Sequence, residues 1–244
     1  MKKAIVVGAS SGIGRALAEV LAANGYEVGL ASRRLELLSE LASRLPTRSY
    51  VRELDVERPE TARRLLAELI AEMGGVDVIV LSSGVTTRGG TWEDELRVVR
   101  VNVAGFVALA SLAMSHFLEQ GRGHLVGLSS VSALRAASVS SAYSASKAFV
   151  SRYLEGQSVR ADSSEADVCV TDVKPGFVDT PMTEGEEGLF WVAPVEVAAR
   201  QIYTAIRRRR RHVYVTRRWR LVAWLMRLIP YPLLVRLTAG KGRR

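Results

Sequence analysis

Seven short runs rich in β-branched and aliphatic residues recur along the chain with helical patterns between them, and this alternation constrains the fold more than any other feature. The runs are 3–7, 27–31, 49–54, 76–81, 124–128, 167–173 and 213–216. Stretches such as Val76-Asp77-Val78-Ile79-Val80-Leu81 are almost continuously apolar, as strands are when helices cover both faces of a parallel sheet. Residues 13–23, 34–45, 59–73, 92–118, 143–160 and 194–207 read as helices, several with charged faces opposite apolar stripes. The pattern predicts an α/β chain: a doubly wound Rossmann fold with a central parallel sheet of about seven strands, helices on both faces and right-handed crossovers.

The 244 residues, 48% apolar and 24% charged, suit one globular domain, and no polar linker divides them. We expect the Rossmann domain over 1–216 and an apolar, basic C-terminal extension over 217–244. One cysteine, Cys169, excludes an internal disulfide, and three scattered histidines give no metal-ligand spacing, so no metal is expected. The N-terminus lacks the apolar core and cleavage site of a secretion signal. The uncharged run 101–116 falls short of the roughly 20 apolar residues of a spanning helix. These features predict a cytoplasmic protein.

Immediately after the first run comes Gly8-Ala9-Ser10-Ser11-Gly12-Ile13-Gly14, opening a helix. A helix N-terminus carries unpaired N–H groups and partial positive charge, and a pyrophosphate fits against it where no Cβ intervenes. This is the setting of a dinucleotide site. The second run ends in Ser32-Arg33-Arg34, with no carboxylate for a ribose 2′-hydroxyl but two guanidinium groups for a 2′-phosphate, so NADP(H) is expected over NAD(H).

Tyr143 and Lys147 stand four residues apart, so on a helix they share a face. A neighbouring ammonium favours the phenolate and makes the tyrosine a usable general acid or base. Ser130 follows the fifth run, at the sheet edge where ligands bind, and its hydroxyl can donate to a substrate carbonyl. Ser129, Ser132, Ser138, Ser140 and Ser141 crowd the same stretch.

With these motifs in order, residues 3 to about 216 resemble the short-chain dehydrogenase/reductase family, in its compact single-domain branch. The glycine turn, Asp55-Val56, Asn102 in Val101-Asn102-Val103-Ala104-Gly105, Ser130, Tyr143 with Lys147, and Pro175-Gly176-Phe177-Val178-Asp179-Thr180 carry the resemblance. It implies that Tyr143 transfers the proton, Ser130 orients the carbonyl, Lys147 activates the tyrosine and holds the ribose, and Asn102 anchors a water in a proton relay. It places Asp55 and Val56 at the adenine, Arg33 at the 2′-phosphate, and Pro175, Gly176, Val178 and Thr180 beside the nicotinamide. Where the family has Asn-Asn-Ala-Gly, this chain has Leu81-Ser82-Ser83-Gly84, keeping only Gly84.

The expected activity is NADP(H)-dependent hydride transfer to or from a ketone, aldehyde or secondary alcohol. The rival is a cofactor-binding scaffold without turnover, docking through its tail. Phe177, Met182, Phe190 and Trp191 supply an apolar lid, hinged by Gly185 and Gly188 and favouring a small hydrophobic substrate, or else Phe190 and Trp191 are ordinary core residues.

Net charge is +9, yet no acidic residue follows Glu196 while 207–244 holds 13 basic ones, which leaves 34 − 13 = 21 basic against 25 acidic before it. Arg207 to Arg211 form either a solvated helix end or a contact site. Beyond 216, Trp219, Leu221, Val222, Trp224, Leu225, Met226, Leu228 and Ile229 are interrupted by arginines; Arg217, Arg220 and Arg227 share one helical side, and Arg218 does not. Thirteen residues before Pro230 cannot span a bilayer. Such a segment packs on the body or on a second subunit of a homodimer or homotetramer, or lies in a membrane interface through 217–238. Nucleic acid is not expected, because no recognised motif accompanies the basic residues.

Overall fold

The computed structural model describes residues 1–87, 90–135, 141–185, 188–230 and 232. Ser138, Ser140 and most of the tail beyond Pro230 lie outside them. Among the described residues the strands are β1 (Lys2–Val7), β2 (Tyr26–Ser32), β3 (Ser49–Glu53), β4 (Val78–Leu81), β5 (Arg122–Leu128), β6 (Asp167–Pro175) and β7 (His212–Val215). They form one sheet in the order β3-β2-β1-β4-β5-β6-β7, and every pairing is parallel. The predicted doubly wound α/β architecture is the observed one.

The helices are α1 (Gly12–Ala23), α2 (Leu35–Arg44), α3 (Pro59–Glu72), α4 (Trp92–Val98), α5 (Phe106–Gln120), α6 (Ser141–Asp162), α7 (Val195–Arg207) and α8 (Trp219–Leu228). Their limits follow local chemistry. Pro59 opens α3 with its fixed φ, Thr91 Oγ1 accepts from the Asp94 N–H (3.2 Å) at the start of α4, and Gly121 ends α5 at φ +77°.

Two apolar layers sandwich the sheet. On one face Leu66, Leu69, Phe117 and Leu154 pack against Ile5, Ile79 and Leu125; on the other Leu17, Leu21, Leu38 and Ile202 cover Val6, Leu30 and Val80. The helical run 92–120 is long and apolar enough to cross a membrane by length and composition, but Ala110, Ala113, Met114 and Phe117 are fully buried in the first layer. That run is a core element.

One departure from regularity matters. Between α4 and α5 the chain takes a π-helical path over Val99–Gly105, a slip in hydrogen bonding that hydrophobic spacing does not report. It puts Asn102 in the core beside the carboxyl ends of β1 and β4, where the strand order reverses and ligands bind in sheets of this type.

Candidate active site

The turn after β1 suits a pyrophosphate. Gly8 adopts φ +92°, and a Cβ on it would stand 2.8 Å from the Ser83 amide nitrogen; a Cβ on Gly14 would stand 2.2 Å from the Gly8 carbonyl oxygen. Gly12, at φ +55°, faces the methyl group of Thr180. The glycines thus admit close backbone approach at the first turn of α1, where N–H groups and the helix dipole favour an anion. Ile13 anchors this turn by packing on the apolar layer of α1.

Arg34 closes the turn from the side. Its Nη2 donates to Ser10 Oγ (2.8 Å) and Ser11 Oγ (2.7 Å), and its Nε to Ser10 Oγ (3.2 Å). Arg33 takes another direction. It pairs with Glu57 at 3.2 Å, and the same carboxylate oxygen accepts from Arg97 Nε at 3.1 Å. Asp55 Oδ1 accepts from the Glu57 N–H (3.0 Å), and the Val56 carbonyl occupies the space a side chain on Gly105 would need. The segment after β3 is therefore wedged between Arg33 and the π-helical turn.

The candidate constellation is built around Lys147. Its Nζ donates to the Leu128 carbonyl (2.9 Å) at the end of β5 and lies 5.7 Å from the centroid of the Tyr143 ring, one turn back on α6. Burial pushes this ammonium down to about 8, opposed by the nearby carboxylate of Asp172. Gly84 is explained by the same group: a Cβ there would stand 3.1 Å from Lys147 Nζ and 3.4 Å from Asn102 Oδ1. The substituted pair Ser82-Ser83 lies directly against Gly14 and Gly8.

Asn102 is fully engaged. Its Oδ1 accepts from the Val85 N–H (2.9 Å) while its Nδ2 donates to the Val85 carbonyl (2.9 Å) and to Ser146 Oγ (3.0 Å). Ser146 Oγ in turn donates to the Tyr143 carbonyl (2.7 Å), so the π-helical turn braces the start of α6. Ser130, two residues beyond the Leu128 carbonyl that Lys147 holds, caps the short 3₁₀ turn Val131–Ala133 by accepting from the Ser132 N–H (3.1 Å).

A buried carboxylate escapes sequence reasoning. Asp172, 2% exposed, pairs with Lys174, accepts from Ser129 Oγ on one oxygen, and accepts from Ser151 Oγ (2.7 Å) on the other, the oxygen that faces Lys174. Ser129 adjoins Ser130, and Ser151 stands one turn beyond Lys147 on α6, so the network ties both site elements to β6. A partial signal was present: Asp172 and Lys174 lie two apart, on the strand face whose other members are Val168 and Val170.

Beyond β6, Pro175 ends the strand and Val178 bridges to Ala193. Thr183 Oγ1 accepts from the Thr180 N–H (3.2 Å) and donates to the Val178 carbonyl (2.8 Å), which holds Thr180 over Gly12. Gly176 lies under the indole of Trp219, the first residue of α8, whose ring is 3% exposed and contacts Phe177 and Phe190 at centroid distances of 5.3 and 5.2 Å. Phe190 and Trp191 are each 48% exposed, so neither is ordinary core. The start of the extension packs on the site's own loop.

The family model described as short chain dehydrogenase matches residues 2–188. The chain is 39% identical over 192 residues to an uncharacterised oxidoreductase of Myxococcus xanthus, covering 75% of this chain and 74% of the relative. It is 33% identical over 218 residues to an uncharacterised oxidoreductase of Mycobacterium tuberculosis, covering 85% of each. Among solved structures, a short-chain dehydrogenase of Sphingobium yanoikuyae in complex with NADPH superposes with a TM-score of 0.81 at 24% identity, over 95% of this chain and 97% of that one. A short chain dehydrogenase/reductase of Burkholderia phymatum in complex with NAD gives a TM-score of 0.81 at 23% identity, over 92% of each chain. At these identities the two structures establish the fold alone.

Proposed function

The chain belongs to the short-chain dehydrogenase/reductase family of oxidoreductases, which bind a nicotinamide cofactor, and from that premise we propose that it is an NADP(H)-dependent enzyme interconverting a hydrophobic ketone or aldehyde with its alcohol. The observation that carries this reading is the buried Lys147 ammonium beside the Tyr143 ring, held by β5 and packed on Gly84 next to the phosphate turn.

When bound, the nicotinamide supplies or accepts the hydride. Gly8, Ser10, Ser11, Gly12, Ile13 and Gly14 would hold the pyrophosphate, Asp55, Val56 and Gly84 would flank the adenosine half and the ribose, and Pro175, Gly176, Val178 and Thr180 would line the nicotinamide half. Ser130 donates a hydrogen bond to the substrate oxygen and fixes its orientation. Tyr143 gives that oxygen a proton in reduction and takes it back in oxidation. Lys147 favours the phenolate form of Tyr143 by its charge and binds the ribose. Asn102 holds Val85 and Ser146, and through Ser146 the backbone of Tyr143; a relay water at its backbone completes the proton path.

Arg34 supports the NADP(H) preference, because its guanidinium already spans the Ser10 and Ser11 hydroxyls at the mouth of the turn. Arg33 contributes on exchange from Glu57 to a 2′-phosphate. The apolar rings of Phe177, Phe190 and Trp219 favour a hydrophobic substrate. Residues 1–216 form the oxidoreductase domain, cytoplasmic and assembled as a homodimer or homotetramer.

Two substitutions test the reading. Tyr143→Phe is expected to lower NADPH-dependent reduction of a carbonyl panel by roughly 10²- to 10⁴-fold while cofactor affinity stays within about twofold. Turnover by neither form, with binding intact, would establish a scaffold instead. Arg34→Ala is expected to weaken NADPH at least about tenfold while changing NADH little, since it removes one charge-assisted contact to the 2′-phosphate. Equal losses for both cofactors would refute the preference.

A further inference from the structure

We infer that the outer face of α8 is a docking surface for an anionic lipid bilayer. The inner face is settled by packing. Trp219 and Ala223, four residues apart, are 3% and 1% exposed against the body. The opposite face carries Leu221, Leu225 and Leu228, at the i, i+4, i+7 spacing of a single stripe, exposed to 64%, 49% and 62%. With Trp219 turned inward, Arg220 and Arg218 fall on either side of the leucines rather than among them. The position of Arg218, out of place on a helix judged by its arginines alone, becomes a flank. Exposed leucines edged by arginines on both sides are what an interfacial helix needs, its apolar stripe entering the acyl boundary while the guanidinium groups stay at headgroup level.

The surroundings carry the same charge. Arg217 and Arg220 also line a cleft of about 1430 Å³ that Arg152, Arg208 and Arg210 enter, with Glu155 the one carboxylate among the described lining residues. Gln201 Oε1, in the wall of that cleft, is buried without a hydrogen-bond partner. The sequence beyond Pro232 continues Leu233-Leu234-Val235 and ends Lys241-Gly242-Arg243-Arg244, with no carboxylate after Glu196. A second copy of the chain would bring like charge against like charge here. A nucleic acid would find cations but no use for the leucine stripe. An anionic bilayer satisfies both. Ten residues, about 15 Å of helix, lie on such a surface rather than cross it. The Ile229 carbonyl, just past α8, accepts from Arg135 beyond the Ser130 turn, so the helix lies between the two loops that border the site.

The test uses the full chain and flotation with vesicles, and needs no turnover, so it is decided independently of the oxidoreductase reading. Wild type is expected to float with phosphatidylcholine vesicles containing phosphatidylglycerol, to remain in solution with phosphatidylcholine alone, and to be released as salt screens the charge. The double variants Leu221→Ser/Leu225→Ser and Arg218→Gln/Arg220→Gln, all at exposed positions, are each expected to lower the partition coefficient at least about tenfold with unchanged circular dichroism. Absence of wild-type flotation overturns the inference, as does equal partition into neutral and anionic vesicles. So does a leucine variant that changes oligomeric state and leaves flotation unaltered, which would make the stripe a subunit contact. Should a double variant fold poorly, the lipid and salt dependence of wild type decides alone.

Discussion

Lys147 concentrates the chemistry of this site in one side chain. Its burial pushes the ammonium down to about 8, and the Asp172 carboxylate counteracts that depression. In the proposed mechanism reduction needs the ammonium and a protonated Tyr143; the ammonium is present below its value of about 8, and rising pH removes it. Reductive kcat/KM is therefore expected to fall above about pH 8. Asp172→Asn, which removes the charge that raises the lysine value, is expected to move that fall to lower pH; a profile unchanged in a folded variant would show that the carboxylate serves stability only. The lysine and tyrosine were legible because four-residue spacing is local. Asp172 was not, because its partners Ser129 and Ser151 reach it through the pairing of β5 with β6 and the packing of α6.

Among the elements, the β1–α1 turn has the least latitude. Gly14 and Gly25 show how differently two glycines are used. A Cβ on Gly14 meets the Gly8 carbonyl at 2.2 Å, whereas Gly25, at φ +81°, has nothing within 4 Å. Gly14→Ala is expected to weaken cofactor binding more than about tenfold and to lower Tm, because backbone rather than a flexible side chain must move. Gly25→Ala is expected to cost about 1 kcal/mol through its dihedral angle alone and to leave binding unchanged. Cofactor titration and thermal melts on the pair separate close approach from conformational preference. The turn could be read from the sequence since strand, glycines and helix adjoin one another. The π-helical turn that positions Asn102 could not, because it is a local slip of hydrogen bonding inside one unbroken helical run from Trp92 to Gln120.

At the scale of the molecule, the extension and the active-site loop are one packed unit. Gly176 leaves room for the indole of Trp219, and a Cβ there would stand 2.0 Å from Trp219 Nε1. Trp219→Ala is expected to destabilise the chain by about 3 kcal/mol, and, because the cavity opens beside Phe177 and Phe190, to raise KM for hydrophobic substrates more than it lowers kcat. Denaturant melts and steady-state kinetics check the two effects. Stability lost without any change in KM would make the contact purely structural.

The amino-acid sequence by itself determined the strand and helix order, the phosphate turn, and the shared face of Tyr143 and Lys147, since each depends on residues within a few positions of one another. Only tertiary structure decided that Glu57 holds Arg33, that Asp172 bonds Ser129 and Ser151 behind Lys147, and that Trp219 turns inward so that Leu221, Leu225 and Leu228 face out. These contacts join segments tens of residues apart. Their partners are selected by sheet register and by which helix face finds a complementary surface, and neither quantity is encoded in local periodicity.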